Sequence, residues 1–97
     1  MEKKQIIQTI VNYLKQYHVR EIGLFGSFAR NEMTPESDID VLVEYCRGTT
    51  LFDMVKMKLD LAERVGRKVD LVSKNAVRSD LMEYIKKDLQ LVYHAEG

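Results

Sequence analysis

The sequence predicts an α/β (α+β) fold, a small mixed β-sheet of three to four strands flanked by helices. Three observations carry this. Apolar residues recur at helical spacing near the N-terminus, between residues 52 and 65, and again after residue 79. Short continuous apolar runs bounded by glycine or polar turns lie between them, as buried strands do. The two kinds of segment alternate along the chain.

Ile6, Ile7, Ile10, Val11 and Leu14 form one helical face, which predicts a first helix from Lys3 to Tyr17. Glu21 to Gly26 is a short apolar run ending on glycine and reads as a buried strand. Ser27 to Arg30 fits one helical turn, and Asn31 to Ser37 is loop by composition, with Pro35 holding Thr34 extended. Asp38 to Tyr45 becomes continuously apolar at Val41-Leu42-Val43, which predicts a second strand, central in the sheet. After the turn Cys46 to Thr50, with Thr50 as N-cap, Phe52, Met54, Val55, Leu59, Ala62 and Val65 mark a long helix that stops at Gly66. Lys68 to Val72 is a third strand. A last helix begins at Asn75 or Ser79 with Leu81, Met82 and Ile85 inward, and Leu89 to Tyr93 fits a short edge strand. The link between the first two strands holds too little helix for a right-handed crossover, so a mixed sheet and a parallel one both remain open.

Composition sets the bounds. The 97 residues are expected to form one domain, 1–97. Fifteen basic residues balance fifteen acidic ones, so no long-range field draws a nucleic-acid backbone and direct nucleic-acid binding is not expected. Cys46 is the single cysteine, which points to a reducing compartment. No apolar signal core and no membrane-length apolar run is seen, so the expected location is cytoplasmic, away from membranes.

Chemistry concentrates in one stretch. Gly26-Ser27 closes the first strand: glycine permits a tight turn and close approach of a ligand, and the serine hydroxyl with free N–H groups suits an anion. A plain N-cap serine is the competing reading. Asp38 and Asp40 stand i and i+2 on the next strand, so they share a face about 6.5–7 Å apart at Cα. Two such carboxylates repel unless a cation lies between them, and all-oxygen ligands favour Mg²⁺. Asp70 interrupts an apolar strand and would complete a three-carboxylate cluster if its strand neighbours that of Asp38; pairing with Arg67 or Lys68 is the alternative. Cys46 is expected to pack as a small hydrophobe, and His18 and His94 to lie on the surface.

The ordered motif Gly26-Ser27-Phe28-Ala29-Arg30 through Ser37-Asp38-Ile39-Asp40-Val41-Leu42-Val43 resembles the signature of the DNA polymerase β-type nucleotidyltransferases. The Ala-Arg and the short chain are most similar to its minimal nucleotidyltransferase (MNT) branch of MntA-like antitoxins. The resemblance implies a palm-like fold and transfer of a nucleoside monophosphate from ATP to a hydroxyl, with pyrophosphate leaving. It implies that Asp38 and Asp40 ligate two Mg²⁺ ions and that Asp70 ligates the ion nearer the acceptor and helps deprotonate it. Gly26 and Ser27 then hold the triphosphate tail, and Arg30 contacts phosphate or serves structure. The implied partner is a cognate HEPN-domain toxin, an RNase, in a hetero-oligomer; the implied reaction is AMPylation of a toxin tyrosine. One position departs from the pattern: the glycine after the arginine is Asn31 here. Asparagine is next best at positive φ, so the turn is expected to persist. Two other functions stand beside this one. One is a non-catalytic antitoxin that neutralises by binding. The other is transfer to a small-molecule hydroxyl, less favoured because the chain holds no separate substrate domain.

Overall fold

The computed structural model describes residues 1–95. The elements are α1 (Lys3–Lys15), β1 (Glu21–Phe25), α2 (Gly26–Ala29), β2 (Ile39–Glu44), α3 (Leu51–Val65), β3 (Val69–Ser73), α4 (Ser79–Lys86) and β4 (Gln90–His94). Within them no helix is long and apolar enough to cross a membrane.

The sheet order is β3-β2-β1-β4. β1 runs antiparallel to both β2 and β4, while β2 and β3 are parallel, so the sheet is mixed. The short α2 explains this: one helical turn reverses the chain after β1, and the full crossover is made by α3 between the two parallel strands. β2 lies inside the sheet, as the apolar run required.

Alternation sorts the strand residues between two layers. Ile22, Leu24, Ile39, Val41, Val43 and Val69 face α1 and α3, whose Ile6, Ile10, Leu14, Met57, Leu61 and Val65 complete the main core. Phe25 and Leu42 face the other way and meet Ile85 of α4, with Val72, Met82 and Leu89 around them. Only α4 covers that second face, so its ends stay open.

α3 starts and stops as its sequence directs. Thr50 Oγ1 accepts from the Asp53 N–H at 3.2 Å and Asp53 Oδ2 accepts from the Thr50 N–H at 2.9 Å, a reciprocal capping box. Gly66 ends α3 in the left-handed region at φ +70°. The residues that mark α3 are not all the ones it buries. Phe52, Val55 and Leu59 of α3 are exposed, and the buried stripe is Met57, Leu61 and Val65. α3 carries apolar residues on two faces, and periodicity alone does not say which meets the sheet. Leu81 of α4 is likewise half exposed, leaving Ile85 as that helix's one buried residue.

Candidate active site

The acids stand together on the α4 side of the sheet, at the open end that α4 leaves uncovered. Asp40 lies two residues before Leu42 and so shares its face; Asp70 does the same relative to Val72. β2 and β3 pair in register with Asp40 directly beside Asp70, about 4.8 Å apart in the strand-to-strand direction. Asp38 immediately precedes β2, and its Oδ2 lies 3.6 Å from Lys68 Nζ. Burial first, then the charges of Asp70 and Asp38, push the Asp40 carboxyl above the ordinary carboxylate range, with Arg30 opposing them.

The Gly-Ser turn abuts this cluster because Phe25 pairs with Asp40 across the β1–β2 ladder. The next residue, Gly26, therefore meets the Asp40 side chain. A Cβ on Gly26 would lie 2.4 Å from Asp40 Oδ2, and its φ is +72°. Both space and backbone demand glycine here. α2 then makes one turn, with Arg30 N–H donating to Gly26 O at 3.1 Å and Glu32 N–H to Ser27 O at 2.9 Å. Ser27 is half-buried at its start. Asn31 takes φ +61°, the left-handed conformation expected of the glycine it replaces. Lys3 Nζ donates to Asn31 Oδ1 at 2.7 Å and to Ala29 O at 3.3 Å, and Gln90 Nε2 donates to the same carbonyl at 3.0 Å. α2 is thus held at its C-terminal end from α1 and from β4.

Arg30 is engaged by carboxylates. Its Nη1 donates to Asp88 Oδ2 at 2.6 Å and its Nε to Glu32 Oε1 at 3.1 Å. The Asp88 bond is the largest of the influences that hold the guanidinium charged. Asp88, Gln90 and Lys3 were invisible to sequence reading: they belong to no motif and reach α2 from 26 to 61 residues away.

Among the described residues no three His, Cys, Asp or Glu side chains are drawn together as a finished metal cage. The Asp38 carboxylate is turned towards Lys68. The donor set still suits a hard divalent cation, because Asp38, Asp40 and Asp70 offer only oxygen and their mutual repulsion is relieved by positive charge. A cleft of about 480 Å³ beside Met33, Thr34, Pro35 and Arg67 includes none of the three acids. Elsewhere, His18 and His94 are exposed, as expected, and Cys46 is half-buried with its thiol donating to the His18 carbonyl.

Residues 8–96 match the family model described as "Polymerase beta, Nucleotidyltransferase". A Methanocaldococcus jannaschii relative named "Putative protein adenylyltransferase MJ0435" is 38% identical over 85 residues, 88% of this chain and 91% of that protein. "Protein adenylyltransferase MntA" of Thermococcus cleftensis is 32% identical over 78 residues, 80% of this chain and 79% of that one. The chain also shares its fold, at TM-score 0.80 and 19% identity, with a chain from the structure of a tri-AMPylated Shewanella oneidensis HEPN toxin in complex with MNT antitoxin. That match covers 97% of this chain and 74% of the other. The acid pair on adjoining strands, the glycine turn beside it and these relatives agree: the chain belongs to the polymerase β-type nucleotidyltransferase family, in its minimal branch, and is a nucleotidyltransferase.

Proposed function

We propose that this chain is an antitoxin that transfers AMP from ATP to a tyrosine hydroxyl of a cognate HEPN-domain toxin. The observation that carries the reading is Asp40, which lies against Gly26 of the turn on one side and directly beside Asp70 on the next strand on the other. The adenylyltransferase names of the relatives support AMP as the transferred group, and the shared fold with an MNT antitoxin supports a toxin as partner.

Asp38, Asp40 and Asp70 would hold Mg²⁺, which when bound neutralises the carboxylates and the charge developing on the phosphate oxygens. The protein's own residues do the rest. The Gly26–Ser27 turn receives the triphosphate tail, with the Ser27 hydroxyl donating to it. Arg30 adds positive charge at the edge. The acceptor oxygen attacks the α-phosphorus, a P–O ester forms, the α–β anhydride breaks, and pyrophosphate leaves. Asp70 takes the phenol proton and passes it to solvent.

A second reading, neutralisation by occlusion, is favoured by one observation: Leu51, Phe52, Val55 and Leu59 form an exposed apolar stripe on α3, across the sheet from the acids. One experiment separates the two. The protein is incubated with Mg²⁺, ATP labelled at the α-phosphate, and a HEPN-domain protein from the same organism. Label should appear on a toxin tyrosine and vanish with Asp38→Asn or Asp40→Asn. Neutralisation that survives both substitutions would sink the catalytic account.

A further inference from the structure

We propose that Asp88 is a positioning residue for nucleotide binding, holding the Arg30 guanidinium at the rim of the acid cluster and aimed at the triphosphate tail. The inference rests on the reading of Gly26–Ser27 as the triphosphate site.

Arg30 follows directly on α2, so its side chain leaves the backbone one helical turn from Gly26. Two of its three nitrogens are fixed: Nη1 by Asp88 at 2.6 Å and Nε by Glu32 at 3.1 Å. Among the described residues no bond is made by Nη2, whose two N–H groups remain available to a phosphate oxygen. The Arg30 N–H donates to Gly26 O at 3.1 Å, and Gly26 abuts the Asp40 side chain, so Arg30 borders the cluster.

The two carboxylates that hold it differ in what they can do. Glu32 sits in the same loop as Arg30, with its side chain 62% exposed, and moves with it. Asp88 comes from the turn between α4 and β4, 58 residues away, and its side chain is 23% exposed. That turn is anchored on both sides. The Asp88 N–H donates to Ile85 O at 3.2 Å, and Ile85 is in the core. Leu89 lies over Gly23, where a Cβ would come within 2.6 Å of it, and Gln90 bonds the end of α2. Asp88 is therefore the fixed post and Glu32 the mobile one. Without Asp88 the guanidinium is free to swing towards Asp40 and Asp70, where it competes with a bound cation and leaves the phosphate tail.

The test is titration calorimetry of the full chain with Mg²⁺ and ATP, paired with KM and kcat for transfer. Asp88→Ala should weaken ATP binding and raise KM about tenfold, the scale of a lost charge-assisted hydrogen bond, with kcat nearly unchanged. Asp88→Glu should restore most of the affinity. In an Arg30→Ala background, Asp88→Ala should have no further effect. Asp88→Asn, which keeps the shape of the turn, should show a smaller loss with an unchanged unfolding midpoint. Wild-type affinity in Asp88→Ala overturns the inference, as does a loss that is equally large without Arg30. If the wild-type chain binds no ATP with Mg²⁺, the triphosphate site itself fails, and the inference falls with it.

Discussion

Gly26 shows how tightly one backbone position can be set by a neighbouring side chain. Its missing Cβ leaves room for the Asp40 carboxylate, and its positive φ disfavours any other residue. Gly26→Ala should cost about 1–2 kcal/mol from the left-handed backbone alone. It should also cut transfer by about a hundredfold, because the displaced Asp40 is misplaced by roughly an ångström. Urea unfolding and a transfer assay measure the two separately, and an active, stable variant would show that the carboxylate has room elsewhere. Asp40 makes the opposite trade. Its pKa is raised in the folded chain, so its protonated form favours folding. That contribution is full below the unfolded carboxylate value, about 3.9, and is lost as pH rises through the elevated one. Asp40→Asn should therefore melt higher than wild type at pH 7, with the gain closing near pH 4, while transfer falls more than about a hundredfold. A lower melting point at neutral pH would show that burial and repulsion of the Asp40 charge do not destabilise the fold. The site acids were legible at this scale because strand alternation places i and i+2 on one face. The Asp40–Asp70 register was not, since it depends on which strands meet.

At the scale of elements, the legible features were those encoded locally. Thr50 with Asp53, Gly66 after Val65, and the apolar run of β2 each fix their own structure within a few residues. The face of α3 was not local: Phe52, Val55 and Leu59 are as apolar as Met57 and Leu61, and only packing on the sheet chooses between them. The same holds for α2, whose four residues are too few to be stable alone and whose end is secured by Lys3 and Gln90. Asn31 is where local and distant effects meet. Its side chain tolerates positive φ and also accepts from Lys3. Asn31→Gly trades one for the other and should change stability by less than about 0.5 kcal/mol, whereas Asn31→Ala loses both and should cost about 1–2 kcal/mol. Lys3→Ala should destabilise the wild-type chain more than it does the Asn31→Gly variant. Equal effects in the two backgrounds, measured by urea denaturation, would detach Lys3 from the turn.

Across the whole molecule, the α4 side of the sheet carries acids at both ends with an apolar middle. At one end are Asp38, Asp40 and Asp70; at the other, Glu21 and Glu44 pair across β1 and β2. The ends are neutralised differently. Glu21, which is buried, has a resident cation: Lys74 Nζ lies 2.7 Å from its Oε2 and 4.0 Å from Glu44 Oε1. That pairing, foremost the Glu21 bond, raises the Lys74 pKa. The Asp38–Asp40–Asp70 end has Lys68 on Asp38 and Arg30 at its rim, but burial and the neighbouring carboxylates still raise the Asp40 pKa. One end of the face is therefore neutralised within the chain, and the other is the end at which the proposed function places a cation. Lys74→Met should strand the Glu21 carboxylate and cost about 1–3 kcal/mol. Millimolar Mg²⁺ should raise the melting point of the wild-type chain and of this variant by the same amount, because the ion binds at the far end. It should leave Asp40→Asn nearly unmoved. Thermal unfolding of the three proteins with and without Mg²⁺ reads this directly. If Mg²⁺ restored Lys74→Met to wild-type stability, the ion would be binding at Glu21 and Glu44, and the two ends would not differ in kind.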